Sequence, residues 1–138
     1  MDIAQRLYQN GHITYMRTDS VHLSALAIGA AEDFIKKEFG AEYAMPNGRQ
    51  YKTKQANAQE AHEAIRPTYI DKSADSLGLD AMEAKLYRLI WERTVASQMR
   101  EADIETTTYH FSPRGKKEDW IAKGEVIKFA GFMRLYIE

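Results

Sequence analysis

The chain is predicted to fold as an α+β protein, mainly helical, with a short β segment after residue 102. Three observations carry this prediction. Helical apolar spacing with cap signatures recurs through residues 2–100, period-two alternation sets in at Ile104, and Gly, Pro and Asn punctuate the joins. A length of 138 residues fits one domain, or one domain with an appended piece of another. With 44% hydrophobic residues the chain can build a core, since a chain this size hides roughly two-thirds of its unfolded surface.

Ile3, Leu7 and Tyr8 predict a short helix over 2–9 that Asn10 and Gly11 terminate. Residues 13–17 then read as a short strand or extended segment. Ser24 is a suitable N-cap, preceded by Leu23 as a staple residue, and Leu26, Ala27, Ala30, Ala31, Phe34, Ile35 and Phe39 recur at helical spacing up to Gly40. An amphipathic helix over 25–39 follows. Residues 41–56, with Pro46, Asn47 and Gly48, carry no sustained period and are predicted as a loop.

Asn57 with Glu60 resembles a capping pair and predicts a short helix ending near Ile65 or Arg66, because Pro67 disfavours α geometry in the residue before it. Residues 69–79 are a second loop. Asp80 with Glu83 is a clearer capping box and opens the strongest helix, about 81–100. Its apolar rails are Met82, Leu86, Ile90 and Tyr87, Trp91, Val95, and the aromatics among them are assigned to the core. Residues 104–111 alternate and are rich in β-formers, 113–118 form a polar turn, and 120–122 and 125–129 give a second and a third strand. A domain boundary is placed at 101–103, dividing a helical 1–101 from a β 102–138.

The composition narrows the function classes. A net charge of −1 shows no global attraction to nucleic acid, so any basic face is local. The absence of cysteine excludes disulfides, thiolate zinc sites and Cys nucleophiles. No apolar run approaches the roughly 20 residues that span a bilayer, and no basic-then-apolar leader opens the chain. A soluble, cytoplasmic protein without a membrane partner is expected. Both ends read like cuts through a larger polypeptide.

Two clusters carry the chemistry. The first is GHITYMRTDS at 11–20. In an extended backbone Tyr15, Arg17 and Asp19 share a face, giving a hydroxyl nucleophile, a cation for phosphate oxygens and a carboxylate to steady the cation. Alone, such a grouping is more commonly a polar edge strand with one partly buried Tyr. The second cluster is QEAHEAIRPT at 59–68. On a helix His62 and Arg66 share a face and suit phosphate contact, while Glu63 and Arg66 could equally be a plain surface ion pair. No metal site is expected. The zinc-protease pattern needs a second His where Arg66 stands, and His12, His22 and His110 have no ligand-like spacing. No glycine-rich phosphate loop or Walker lysine is present.

Together the two clusters, with AQRLY at 4–8 and KLYRLIW at 85–91, closely resemble the type IA DNA topoisomerases, bacterial topoisomerase I in particular. The resemblance covers essentially the whole chain, and Met16 matches the topoisomerase I form of the motif. It implies a winged-helix-like gate domain followed by the first strands of the adjoining arch domain. It implies Tyr15 as the nucleophile that forms a 5′-phosphotyrosine on one DNA strand, and Arg17 as the stabiliser of phenolate and phosphate charge. His62 and Arg66 would grip neighbouring phosphates, with Thr18, Asp19, Ser20 and Glu63 supporting the same DNA contact. Exchange of a phosphodiester for a phosphotyrosyl ester conserves bond energy, so no ATP is implied. Mg²⁺ belongs to the resemblance, but its acidic domain has no counterpart here, so the isolated chain is expected to be inactive. The partners implied are single-stranded DNA at the cleavage site and the remaining domains of the same polypeptide. The cellular setting implied is the bacterial cytoplasm, at the nucleoid. A non-catalytic helical DNA-binding module, in which Tyr15 only stacks or hydrogen-bonds, is the alternative, and an interaction domain with no nucleic-acid role is the third reading.

Overall fold

The structure, a computed structural model, describes residues 2–51, 62–115 and 119–137. Helices α1 (Asp2–Gln9), α2 (Ala25–Glu38) and α3 (Ala81–Gln98) precede an antiparallel pair of strands, β1 (Asp103–Phe111) and β2 (Trp120–Phe129). Short 3₁₀ turns lie at Ala41–Tyr43, Ala74–Ser76 and Gly131–Arg134. The mixed α+β class expected from the periodicities is observed. No described helix is long and apolar enough to cross a membrane.

Helix α3 is the central beam. Its start is the capping box read from the sequence: Asp80 Oδ1 accepts from the backbone N–H of Met82 and Glu83, and Glu83 returns a bond to the Asp80 N–H. One side packs Tyr87 against Leu7 of α1, Ile13 and Ala74. Further along, Val95 and Met99 pack against Ile35 of α2 and Ala44, and Trp91 touches both groups. Leu7, Ile35 and Val95 are completely enclosed, and each such side chain contributes roughly 1.5–3 kcal/mol by leaving water. The aromatic rail is core, as expected, and its polar tips are satisfied: Tyr87 Oη donates to the Lys72 carbonyl at 2.8 Å and Trp91 Nε1 to the Ile70 carbonyl at 2.7 Å. The other rail is less buried, with Met82 60% exposed.

Two predicted elements differ. The helix expected over 57–66 is not helical where it is described. Residues 57–61 lie outside the described residues, and 62–66 have no helical turn. Their backbone groups are spent on another segment: the Ala64 N–H donates to the His22 carbonyl, the Arg66 carbonyl accepts from Thr14, and Ile13 bridges Pro67. A short helix has too few internal bonds to outcompete such pairing. Ile13 makes an isolated bridge only, so 13–17 is not a strand in a sheet. The second correction concerns the strands expected at 120–122 and 125–129. They are one strand running through Gly124, which pairs with Thr107, because pairing along its length holds the glycine in register.

The β pair stands out as a two-stranded ribbon, with every residue of β1 and all but the last of β2 exposed. After it the chain returns to the helical body. Phe129 lies against the Tyr43 ring, with 4.8 Å between centroids, and beneath the Arg100 guanidinium. Leu135 joins the Ile35–Val95 group. Gly131 makes this return possible. It has φ +51° and lies so close to the Arg100 and Glu101 carbonyls that a Cβ would collide with backbone.

Candidate active site

The turn after α1 reverses the chain through bonds from Asn10, Gly11 and His12 back to Arg6, Tyr8 and Leu7. It delivers residues 12–24 alongside 62–68. The two segments are fastened at both ends. Near the turn, Thr14 N–H donates to the Arg66 carbonyl, Thr68 N–H donates to the His12 carbonyl, and the Thr14 hydroxyl donates to the Ala64 carbonyl at 2.7 Å. At the far end the Ser24 N–H donates to Glu63 Oε1 at 2.6 Å, while the Ser24 hydroxyl caps α2 by accepting from Ala27.

Between these fastenings lies the cluster. Tyr15 is 39% exposed and stands between two rings. The Tyr8 centroid is 5.3 Å away at 66°, and the His62 centroid is 5.5 Å away at 87°. Edge-on aromatic contacts of this kind orient a ring without covering its hydroxyl. His62 Nδ1 is 3.0 Å from its neighbour's carbonyl, on Glu63. Its Nε2 lies 2.7 Å from Oδ1 of Asp19. That approach lacks hydrogen-bond alignment, and among the described residues neither atom has a hydrogen-bond partner. Asp19 Oδ2 is 3.6 Å from Nε of Arg17, whose side chain is 58% exposed. Tyr15, Asp19, His62 and Arg17 are thus linked in one chain of contacts, with the phenol and the guanidinium open to solvent.

Arg66 is held differently from the expectation that it shares a helix face with His62. Its Nε and Nη2 donate to Glu63 Oε2, at 3.0 and 2.6 Å, and its Nη1 donates to the Pro67 carbonyl. The pair is partly buried and braces the segment internally. Burial pushes the Glu63 carboxyl up, but Ser24 and the Arg66 guanidinium outweigh it and hold the group below its ordinary value. Ser20 Oγ accepts from the His22 N–H, and Thr18 and Ser20 line the cavity beside the cluster.

Three residues of this site escape a reading by spacing. Tyr8 reaches Tyr15 only because the turn folds α1 back. Thr14 acts as a rivet to a segment fifty positions away. Ser24 is legible as a cap but not as a partner of Glu63. Among the described residues no group of three or more His, Cys, Asp or Glu is placed to hold a metal ion.

The arrangement offers a partly exposed phenol with an imidazole beside it, and a carboxylate that lies between that imidazole and an exposed guanidinium. Comparison with known proteins points to one family. A family model described as DNA topoisomerase matches residues 1–138. DNA topoisomerase 1 of Mycolicibacterium smegmatis is 48% identical over 144 residues, a match covering 100% of this chain and 15% of the relative. DNA topoisomerase 1 of Synechocystis sp. is 46% identical over 139 residues, with the same coverage. Among solved structures, full-length topoisomerase I from Thermotoga maritima superposes with a TM-score of 0.80 at 34% identity, covering 98% of this chain and 22% of that one. The chain therefore spans about 15% of the length of these curated relatives.

Proposed function

This chain belongs to the DNA topoisomerase family, and from that premise we propose that Tyr15 is the nucleophile of a type IA reaction on one DNA strand. Tyr15 Oη attacks a backbone phosphorus, forming the phosphotyrosyl bond as the P–O3′ bond breaks. The phenolic proton leaves and the departing 3′ oxygen takes one up. The products are a 5′-phosphotyrosine and a 3′-hydroxyl, and the reverse reaction reseals the strand after another has passed, relaxing negative supercoils without ATP.

One observation carries the reading: the half-exposed Tyr15 ring stands edge-on to His62, and the Asp19 carboxylate lies between His62 and the Arg17 guanidinium. Arg17 stabilises charge as it builds on the phenolate oxygen and the phosphate. His62 takes a neighbouring phosphate oxygen once bound DNA draws its Nε2 away from Asp19. Glu63 and Arg66 support the DNA contact as an internal brace of the two segments rather than as open phosphate ligands, and Thr18 and Ser20 support it from the mouth of the adjoining cavity. Mg²⁺, where required, is held by carboxylates elsewhere in the full-length polypeptide, in the cytoplasm, and the isolated 138-residue chain does not relax DNA.

The test is covalent trapping. Full-length protein mixed with single-stranded DNA and then denatured should yield a DNA adduct that maps to Tyr15 and vanishes in Tyr15→Phe. An adduct that survives that substitution, or none from the unmutated protein, would leave the DNA-binding module as the better reading. In parallel, supercoil relaxation by the isolated chain, detected on a gel, would overturn its assignment as inactive.

A further inference from the structure

Two cavities share a wall. The first, about 380 Å³, opens at Thr18 and Ser20 and is floored by Leu23, Ile65 and Ile90. The second, about 330 Å³, is bounded by Arg49, Glu101, Phe132 and Tyr136. Tyr51, Arg93 and Ser97 line both, so the two form one groove along the C-terminal half of α3. Each is in the size range that holds a small organic group, ~300–1,000 Å³. The groove begins three residues after Tyr15, within about 11 Å of extended backbone.

Its wall is fixed in advance. Gln98, buried inside the body, accepts from the Arg49 N–H at 2.8 Å and donates to the Arg49 carbonyl at 3.0 Å. Gln50 Nε2 donates to the Leu23 carbonyl and Tyr51 Oη to the Ser97 carbonyl, each at 3.0 Å. Arg49 Nη2 donates to Glu101, and Arg93 donates to Tyr136 Oη while lying over that ring at 5.1 Å. An apolar floor, two phenol rings and two guanidinium groups along one channel match single-stranded nucleic acid, whose bases stack on rings and whose phosphates meet cations. With a net charge of −1, the chain supplies this attraction locally or not at all.

We propose that this groove seats the first nucleotides of the DNA strand that remains joined to Tyr15, an inference that rests on the nucleophile reading above. After cleavage that strand is tethered to this chain through one phosphotyrosyl bond, about which it can rotate. Seating its next nucleotides on Tyr51 and Arg93 removes that freedom and keeps the phosphate aligned for the returning 3′-hydroxyl.

The test uses full-length Tyr15→Phe protein, so that binding is read without cleavage. The probes are single-stranded oligodeoxynucleotides with a common 5′ part and either a short 3′ arm or one longer by several nucleotides. Lengthening the arm should tighten binding. Tyr51→Ala should cut that gain about ten-fold, as loss of one stacked base does, whereas Tyr51→Phe, which keeps the ring, should retain it. Arg93→Gln should lower the slope of log affinity against log salt by about 0.7, and Glu101→Gln, which removes a competing anion, should strengthen the gain. Lys85→Ala, on another part of α3, serves as the neutral control. An arm-length gain that is the same in every variant would overturn the groove while leaving covalent trapping intact. A gain in Tyr15→Phe when the unmutated protein forms no covalent adduct would instead bring down the nucleophile reading, and with it the identity of the strand.

Discussion

Nε2 of His62 lies 2.7 Å from Oδ1 of Asp19, and the other oxygen of that carboxylate is 3.6 Å from Nε of Arg17. One carboxylate therefore bridges the imidazole beside Tyr15 and the exposed Arg17 guanidinium. Contacts of this type in a ligand-free site commonly tighten only when substrate is present. Asp19→Asn keeps the shape and removes the charge. In full-length protein it should slow formation of the covalent DNA adduct by ten-fold or more, since each ~1.4 kcal/mol lost at the transition state is a factor of ten. Thermal stability should change by less than about 1 kcal/mol, because the Arg17 contact is largely exposed and the His62 approach is not a formed hydrogen bond. An unchanged cleavage rate would remove Asp19 from the positioning role.

Glu63 ties Ser24 at the start of α2 to Arg66 on the segment beside Tyr15. Its Glu63→Gln replacement should cost about 1–3 kcal/mol by denaturant unfolding, because Arg66 loses its charged partner. The pH dependence has a definite sign. A carboxyl held below its unfolded value stabilises the fold above about pH 4.3, and that contribution disappears as pH falls through the folded value. Unfolding free energy should therefore fall more steeply with acid in the unmutated protein than in Glu63→Gln.

Burial, and to a lesser degree the charge of Asp71, pushes the Tyr87 hydroxyl up to about 12. A hydroxyl raised in this way contributes stability that is complete below about pH 10, the unfolded value, and is lost as pH rises towards the folded one. An absorbance titration should show one tyrosine ionising last, together with unfolding. Tyr87→Phe should abolish that late step and cost roughly 1 kcal/mol at neutral pH, the worth of the bond to the Lys72 carbonyl.

Gly48 has φ +65°, and a Cβ there would overlap Ile28 and crowd Gln98. Gly48→Ala should destabilise the fold by about 1–3 kcal/mol and loosen the strip that carries Arg49 and Tyr51. Adding Ile28→Ala should recover part of the loss, which a double-mutant cycle measures directly.

Much of this architecture could be read locally. Asp80 and Glu83 are three residues apart, so their capping box is written in one turn of sequence and formed as expected. The spacing of Tyr87, Trp91 and Val95 likewise marks α3 as a core helix without reference to its partners. The 59–68 cluster was harder. Its local signals favoured a helix, yet residues 62–68 take their hydrogen bonds from 12–24, some fifty positions away, and no short-range pattern encodes such a pairing. The same holds for the link between His62 and Asp19, which joins the two motifs that spacing had kept apart. Gly124 misled in the opposite way: a strand breaker by composition, it is overruled by cross-strand bonds on both sides.

The ribbon that follows α3 has a mechanical consequence. Nine or ten extended residues make an arm about 30 Å long, mounted where Phe129 rests on Tyr43 and Arg100. Rotating the mount by ~10° would carry the far turn some 5 Å, given that length. Conversely, a push on the far turn arrives, multiplied as force, at Arg100 and Glu101, on whose carbonyls Gly131 sits. Glu101 also pairs with Arg49 on the wall of the second cavity. The arm's mount and the wall of the second cavity therefore share one residue, Glu101.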